Sequence, residues 1–180
     1  MKKGMFCSLA VLTAVFLVVG CASAPNVNTP DWLSDFPPDD AIWGIGSARQ
    51  SSEQLSMTAA ESFARVSIAR QLDAKVKAMF TNYMRDAGTV GSQTALSLQE
   101  DVSRQVTSMQ LNGSRPIKRW KAPDGTWWYL VEYRISDARA ALGNIIDSEA
   151  ARFAEFKADE ALRILDAELA KSERPALVNE

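Results

Sequence analysis

The feature that most limits what this chain can fold into is an apolar N-terminal run that ends in Val18-Val19-Gly20-Cys21. A short basic segment, Lys2-Lys3, precedes the run, and residues 5–19 are almost entirely apolar. At a rise of about 1.5 Å per residue, the run is shorter than the roughly 20 residues that a membrane-spanning helix needs. Its length and basic start are typical of a secretory signal peptide. The sequence therefore predicts that residues 1–20 leave the chain and take no part in the fold.

The end of this run resembles the lipobox of bacterial lipoproteins, in which aliphatic and small residues precede a cysteine. That resemblance implies that Cys21 becomes the first mature residue and carries lipid, such as palmitate, on its sulfur and amino group. Two or more acyl chains hold a protein stably on a membrane. Ala22 follows the cysteine, and an Asp there would be the inner-membrane retention signal, so we expect the outer membrane. A retained N-terminal anchor, or an ordinary signal peptide with a chance cysteine, is the alternative.

The composition of the expected mature chain excludes several kinds of chemistry. Removal of Lys2 and Lys3 lowers the 20 basic residues to 18 against 22 acidic residues, a net charge of −4. Histidine, the commonest general base and metal ligand, is absent. Cys7 leaves with the signal peptide and Cys21 is lipidated, so no thiol remains for a disulfide, a zinc site or a nucleophile. We expect no metal, no cofactor, no nucleic-acid partner, and neither Ser-His-Asp nor Cys-His catalysis.

Residues 21–40 are rich in Pro, Asn, Asp and Ser and predict a lipidated tether. Pro37-Pro38-Asp39-Asp40 is typical of a turn and would start the domain. Three apolar residues of the tether can dock on the edge of the domain: Trp32, Leu33 and Phe36. A flexible tether with incidental aromatic residues is the alternative.

Residues 41–48, Ala-Ile-Trp-Gly-Ile-Gly-Ser-Ala, predict a strand. Gly44 and Gly46 share one face of it, because side chains of a strand alternate. A pair of glycines on one face lets a helix or a neighbouring backbone approach closely. The alternative is a phosphate-binding loop, but the third glycine of the G-x-G-x-x-G pattern is replaced by Arg49. We therefore favour the packing interpretation.

A long helix is predicted from a cap at Ser51 or Ser52 to about Asp86, with Gly88 at its end. Glu61 and Arg65 are spaced i,i+4 and can pair. Apolar residues recur along the helix at steps of three and four and predict a core-facing stripe: Met57, Ala60, Ala64, Ile68, Leu72, Val76, Met79 and Tyr83.

The chain after this helix predicts a second helix over residues 96–109 and a last helix capped by Ser136-Asp137. The first apolar stripe of the last helix consists of Leu142, Ile145, Ile146, Phe153 and Phe156. After Lys157 the apolar residues move to another face, so the helix is expected either to break or to meet a different surface. We predict a domain over residues 41–146 and a helical C-terminal tail over residues 147–180, and we expect deletion of residues 159–180 to leave a folded monomer with altered self-association or partner binding.

Between these helices, residues 115–122 and 126–135 predict a hairpin around Pro123-Asp124-Gly125. A two-residue turn at Asp124-Gly125 puts one set of side chains toward the long helix: Trp120, Trp127, Tyr129, Val131 and Tyr133. The opposite face then carries a candidate partner surface: Arg115, Arg119, Lys121, Trp128 and Arg134.

In this register Arg115 lies across from Arg134, and like charges directly across strands are unfavourable. That cost favours an anionic partner, such as lipid head groups, cell-wall polymer or an acidic protein. An ordinary solvated sheet face is the commoner explanation of a charge cluster. A bulged turn would shift the register by one residue and exchange the two faces.

The order of these segments resembles the Lpp-twenty family of small bacterial lipoproteins, and a similar unit resembles the N-terminal domain of the flagellar assembly protein FlgT. The residues that carry the resemblance are Cys21, Pro30-Asp31-Trp32, Trp43-Gly44-Ile45-Gly46-Ser47-Ala48, Ala59, Ala60, Ala64, Arg65, Ala69, Arg70, Leu72 and Trp128-Tyr129-Leu130-Val131. The resemblance covers roughly residues 30 to 140 and leaves out the tail after Asp147. It implies an α+β fold, a small antiparallel sheet of one N-terminal strand plus a C-terminal hairpin packed on a long helix, with a helical extension. It brings no catalytic residues.

We expect a non-catalytic binding or structural module, anchored to an envelope membrane through Cys21 and compatible with a homo-oligomer. One alternative is an accessory subunit of a motility or secretion apparatus, which rests on family analogy. The other is an envelope hydrolase that uses paired carboxylates. The adjacent pairs Glu100-Asp101 and Asp159-Glu160 point about 100° apart on a helix, so neither pair converges on one bond.

Overall fold

The computed structural model describes residues 28–88, 92–151, 156–171 and 177–179. The predicted signal peptide, Cys21 and the first residues of the predicted tether therefore lie outside the described residues. The α+β class is confirmed. In chain order the elements are a short 3-10 helix (Asp31–Ser34), β1 (Ala41–Ala48), α1 (Glu53–Asp86), α2 (Gln93–Ser108), β2 (Arg115–Lys121), β3 (Trp127–Arg134), α3 (Ile135–Ala150), α4 (Ala158–Leu169) and β4 (Leu177–Asn179).

The sheet has the strand order β2-β3-β1-β4. The first three strands are antiparallel, as predicted from one N-terminal strand and a hairpin. β4 adds to the other side of β1 in parallel, with Leu177 opposite Ile45. This strand was not predicted, because three residues are too few to show an alternating pattern.

α1 spans 34 residues and covers one face of the sheet. The side chain of Ser52 caps it by accepting a hydrogen bond from the N–H of Leu55 at 3.2 Å. Gly88 has φ of +65°, a left-handed conformation in which glycine commonly follows a helix end. The predicted apolar stripe is buried along the helix, and only Met57 is partly exposed. The prediction for this helix is confirmed in its bounds and its face.

Gly44 and Gly46 are where β1 meets α1. A β-carbon on Gly44 would lie less than 3.0 Å from the carbonyl oxygen of Ala64, and one on Gly46 would lie as close to that of Ala60. Both neighbours are helix backbone, which cannot rotate away as a side chain can. The packing interpretation of the two glycines is confirmed.

The predicted register of the hairpin is wrong by one residue. The loop has three residues, Pro123 to Gly125, and the N–H of Ala122 donates to the carbonyl of Thr126 at 2.8 Å. Gly125 adopts φ of +92°, as the third residue of such a loop requires. The Asp124 carboxylate accepts a hydrogen bond from the N–H of Thr126 at 2.9 Å and holds the turn in this form.

The new register puts Trp120 opposite Trp128 and Arg119 opposite Tyr129. Trp127, Tyr129, Val131 and Tyr133 do face α1 as predicted. Trp120 does not, because it packs on the other side of the sheet.

The C-terminal tail packs on the domain and contributes to its core. The last helix is broken: α3 ends at Ala150 and α4 begins at Ala158. α4 turns back onto α1 and buries Leu165 and Leu169 in the main core cluster. The change of apolar face after Lys157 thus reflects a helix that packs on α1 from a new direction. Ser136-Asp137 is not a cap, because α3 begins directly after β3.

Candidate functional site

The sheet is covered on both faces, and the second cover comes from the N-terminal segment. On the side away from α1, buried residues of β1 and β3, together with Ala122 after β2, form a cluster of their own. Trp32 and Leu33 of the short 3-10 helix pack on this cluster. The prediction that apolar residues of this segment dock on the domain is confirmed for Trp32 and Leu33. We name this side the outer aromatic face and define it by Trp32, Leu33, Trp43, Trp120 and Trp128.

Phe36 was predicted to dock together with Trp32 and Leu33, but it is 61% exposed. The chain at this point is held to the sheet by the residue before it. The carboxylate of Asp35 pairs with the ammonium of Lys118 on β2 at 2.8 Å. Phe36 thus directly follows a residue that is held to β2, and its own side chain stays exposed.

Polar contacts fix the centre of the outer aromatic face. Glu132 accepts a hydrogen bond from the indole N–H of Trp43 at 3.2 Å and pairs with Arg115 at 2.8 Å. The hydrogen bond from the Arg115 guanidinium is the main reason that the pKa of the Glu132 carboxyl lies below its usual range. Partial burial opposes this shift, and the Trp43 hydrogen bond adds to it. Glu132 is thus a charged residue that holds Trp43 and Arg115 in place on this face.

The candidate partner surface does not exist as one face, and the register argument for an anionic partner loses its basis. Arg119 and Lys121 lie on the α1 side of the sheet, opposite Tyr129 and Trp127. Lys121 pairs there with Glu53 at the start of α1, at 3.0 Å. The three-residue loop causes this exchange of faces, because it shifts β2 by one residue against β3.

The other three members of the candidate partner surface lie on the outer side of the sheet. Trp128 is only 7% exposed and belongs to the buried cluster. A bulge between Pro116 and Lys118 places Arg115 opposite Glu132 rather than Arg134. Arg134 ends β3 opposite Ala41. The unfavourable pair of like charges, which suggested an anionic partner, is therefore absent.

Two open clefts lie beside α1. One, of about 340 Å³, lies between α1 and the residues that follow α2 and is lined by Ser62, Arg65, Val66, Ala69, Thr107, Met109, Gln110, Leu111 and Asn112. The other, of about 330 Å³, lies between α1 and β2 and is lined by Glu61, Pro116, Ile117, Lys118, Arg119 and Tyr129. The predicted ion pair of Arg65 with Glu61 is confirmed at 2.8 Å and separates the two clefts. Arg65 also donates to the side chain of Ser114, a contact that the sequence did not indicate.

Of the two carboxylate pairs considered for acid-base chemistry, one forms ion pairs with an arginine and the other lies on a different helix. Arg104 pairs with both Glu100 and Asp101 on the exposed side of α2. Asp159 and Glu160 lie on a different helix, in the first turn of α4. Within the described ranges, no group of three or more acidic, His or Cys side chains is placed to hold a metal ion.

Sequence reasoning missed three buried charged residues that join helices. Lys75 donates to the carbonyls of Glu168 and Lys171, at 2.8 and 2.9 Å, and so caps the end of α4. Glu168 accepts a hydrogen bond from Asn82, and Glu149 accepts one from Gln105. The sequence does carry one sign of these residues, because Lys75 and Glu149 fall on the apolar stripes of their helices, where a charged side chain is expected to be buried.

The comparisons place the chain among lipoproteins. A model of the family described as LPP20 lipoprotein matches residues 30–134. No curated protein and no solved structure matches the chain. The matched region begins in the docked N-terminal segment and ends with β3, so it contains the outer aromatic face and the β1–α1 contact. The relation to FlgT stays a prediction. None of the helices that the structure describes is long and apolar enough to cross a bilayer.

Proposed function

The chain belongs to the LPP20 lipoprotein family, and from this premise we propose that it is a lipid-anchored outer-membrane protein that acts as a non-catalytic binding or structural module. Family membership makes it a lipoprotein of the cell envelope. The proposal adds the anchor residue, Cys21, the outer membrane and the absence of catalysis. The observation that carries it is the docked N-terminal segment, through which a membrane anchor would hold the sheet directly.

The side chains of the described surface support a binding or structural role. Arg65 and Glu61, one from each cleft, pair with each other rather than converging on an open position. The buried polar residues Lys75, Glu149 and Glu168 hold helices together. Catalytic sites instead place titratable groups in a cleft with strongly shifted pKa values. The chain also has no histidine.

The role can be tested by crosslinking in intact envelopes. A photoreactive amino acid at Ile117, an exposed residue of the β2–α1 cleft, should give a discrete adduct if the cleft binds a partner. The matched control is Leu96, an exposed apolar residue of α2 outside both clefts. An adduct at Ile117 alone supports a binding module, and no discrete adduct at either site supports a structural one. Hydrolysis of an envelope polymer by the purified protein, lost in Glu100→Gln with Asp101→Asn, would contradict both.

The outer-membrane assignment is tested by separating the two membranes. Wild-type protein should be recovered with the outer membrane, and Ala22→Asp should move it to the inner membrane if the cell sorts lipoproteins by that position. Recovery of the wild type with the inner membrane would refute this part of the proposal.

A further inference from the structure

The N-terminal segment brings the lipid anchor to one particular side of the domain. Cys21 and Asn28, the first described residue, are seven residues apart. A fully extended chain spans at most about 3.6 Å per residue, so Asn28 stays within about 25 Å of the acylated residue. A domain of about 150 residues has a radius of gyration of about 15 Å. Its width is at least twice that value, about 30 Å, and so exceeds the distance that residues 21–28 can span. The side on which the segment docks must stay close to the membrane.

That side is the outer aromatic face. Trp32 and Leu33 lie on it, and Asp35 is held to it through Lys118. Trp32 and Trp120 are only partly covered, and Phe36, the residue after Asp35, has 61% of its surface exposed. Tryptophan and other aromatic side chains are suited to the boundary between head groups and acyl chains, where an apolar ring and a polar tip are both accommodated.

We infer that the outer aromatic face, with Phe36, rests on the head-group layer of the bilayer that holds the anchor. The inference depends on the anchor at Cys21 proposed above. A short tether gives an effective concentration in the millimolar range, so a contact that would be weak between free partners is well populated. The domain then has a fixed orientation, with the outer aromatic face toward the membrane and the helices away from it.

Charge is not the driving force of this contact. The docked segment carries exposed Asp31, Asp39 and Asp40, and Asp35 neutralises Lys118. Arg115 is neutralised by Glu132 in the same way. The face therefore fits a zwitterionic surface through its aromatic side chains, and the contact persists at high salt, where attraction between exposed charges is screened.

The test uses the processed, lipidated chain in phosphatidylcholine vesicles that contain a head-group nitroxide. Because Cys7 leaves with the signal peptide and the sulfur of Cys21 is acylated, an introduced cysteine is the only free thiol. Ser34→Cys places an environment-sensitive fluorophore beside Phe36 and leaves Phe36 intact. Leu96→Cys places the same fluorophore on α2, which packs on α1 and α3. Circular dichroism verifies that each variant is folded.

The fluorophore at position 34 is expected to shift to the blue and to be quenched, and the one at position 96 is expected to do neither. Phe36→Asp in the Ser34→Cys chain should reduce the quenching, which separates contact from mere nearness to the anchor. High salt should leave the quenching unchanged. Equal quenching at both positions, no effect of Phe36→Asp, or loss of quenching in salt would overturn the inference. A blue shift without lipid quenching would indicate burial against a second copy of this chain and would also overturn it.

The mass of the purified chain distinguishes the two possible failures. A chain that carries acyl groups but shows no contact at position 34 refutes this inference and leaves the anchor intact. A chain without acyl groups refutes the anchor and, with it, the orientation.

Discussion

Among single residues, Gly44 and Gly46 determine how closely β1 and α1 approach. The nearest atoms that face them are the backbone carbonyl oxygens of Ala64 and Ala60, two residues that are themselves fully buried. Any larger side chain at either of these two positions would therefore push a 34-residue helix away from the sheet. This explains why glycine occupies two positions of a strand, where it is otherwise unfavourable.

Gly44→Val and Gly46→Val should each destabilise the protein by about 1–3 kcal/mol or more, because they overpack a contact that cannot relax. Urea or thermal melts measure the change. Gly143→Ala is the matched control, since a β-carbon there would meet only Leu162, at an ordinary 3.9 Å. That control should be neutral or more stable by up to about 1 kcal/mol, because alanine favours a helix over glycine. Equal losses for all three variants would contradict the account.

Glu132 gives the stability a dependence on acid pH. Its folded-state pKa is lowered, chiefly by Arg115, so the unfolded state binds more protons in the interval between the two pKa values. The stabilisation by Glu132 is thus complete above the unfolded value, near pH 4.3, and is lost as the pH falls through the folded value. Glu132→Gln should lower stability at neutral pH and make less difference at low pH. A difference that stays constant from neutral pH to below about pH 4 would contradict this.

At the scale of elements, α4 shows that the C-terminal part belongs to the domain. Its buried leucines lie against α1, and its last carbonyls are capped by Lys75, a residue of α1 that is 5% exposed. β4 then extends the sheet beside β1. Each of these contacts joins the end of the chain to an element near its start.

Leu165→Ala should cost about 2–5 kcal/mol, as for other leucines deleted from a core. Leu55→Ala, at an exposed position of α1, should change stability by no more than about 0.5 kcal/mol. Deletion of residues 159–180 should leave an unfolded or aggregating chain, as seen by circular dichroism and size-exclusion chromatography. A monodisperse, cooperatively melting product would show that the core closes without α4.

The elements that the sequence predicted well are those with a strong local pattern. The stripe of α1 and the glycine pair of β1 each follow from a repeat within one element. The hairpin register does not, because it depends on Gly125 being the third residue of the loop and on the bulge between Pro116 and Lys118. The packing of α4 also depends on a helix break, for which the change of apolar face was the only local sign. The candidate partner surface does not form as one face, because each of its predicted cross-strand pairs depended on the predicted register.

At the scale of the whole molecule, one segment joins the fold to its anchor. The residues that would follow the lipidated cysteine lead within a few positions into the cover of the outer aromatic face. The same segment covers the sheet and, in the inference above, sets which side is nearest to the membrane. In the orientation inferred above, the helices α2, α3 and α4, on the other side of the sheet, would point away from the membrane.

The central claim is that Cys21 is acylated, and metabolic labelling with a palmitate analogue tests it most directly. Wild-type chain should take up the label and appear at the size of the processed form, with the envelope fraction. Cys21→Ser should take up none and should accumulate as the longer precursor, while Cys7→Ser, the matched control in the signal peptide, should be labelled like the wild type. Label that persists in Cys21→Ser, or a wild type that never acquires label, would contradict the account.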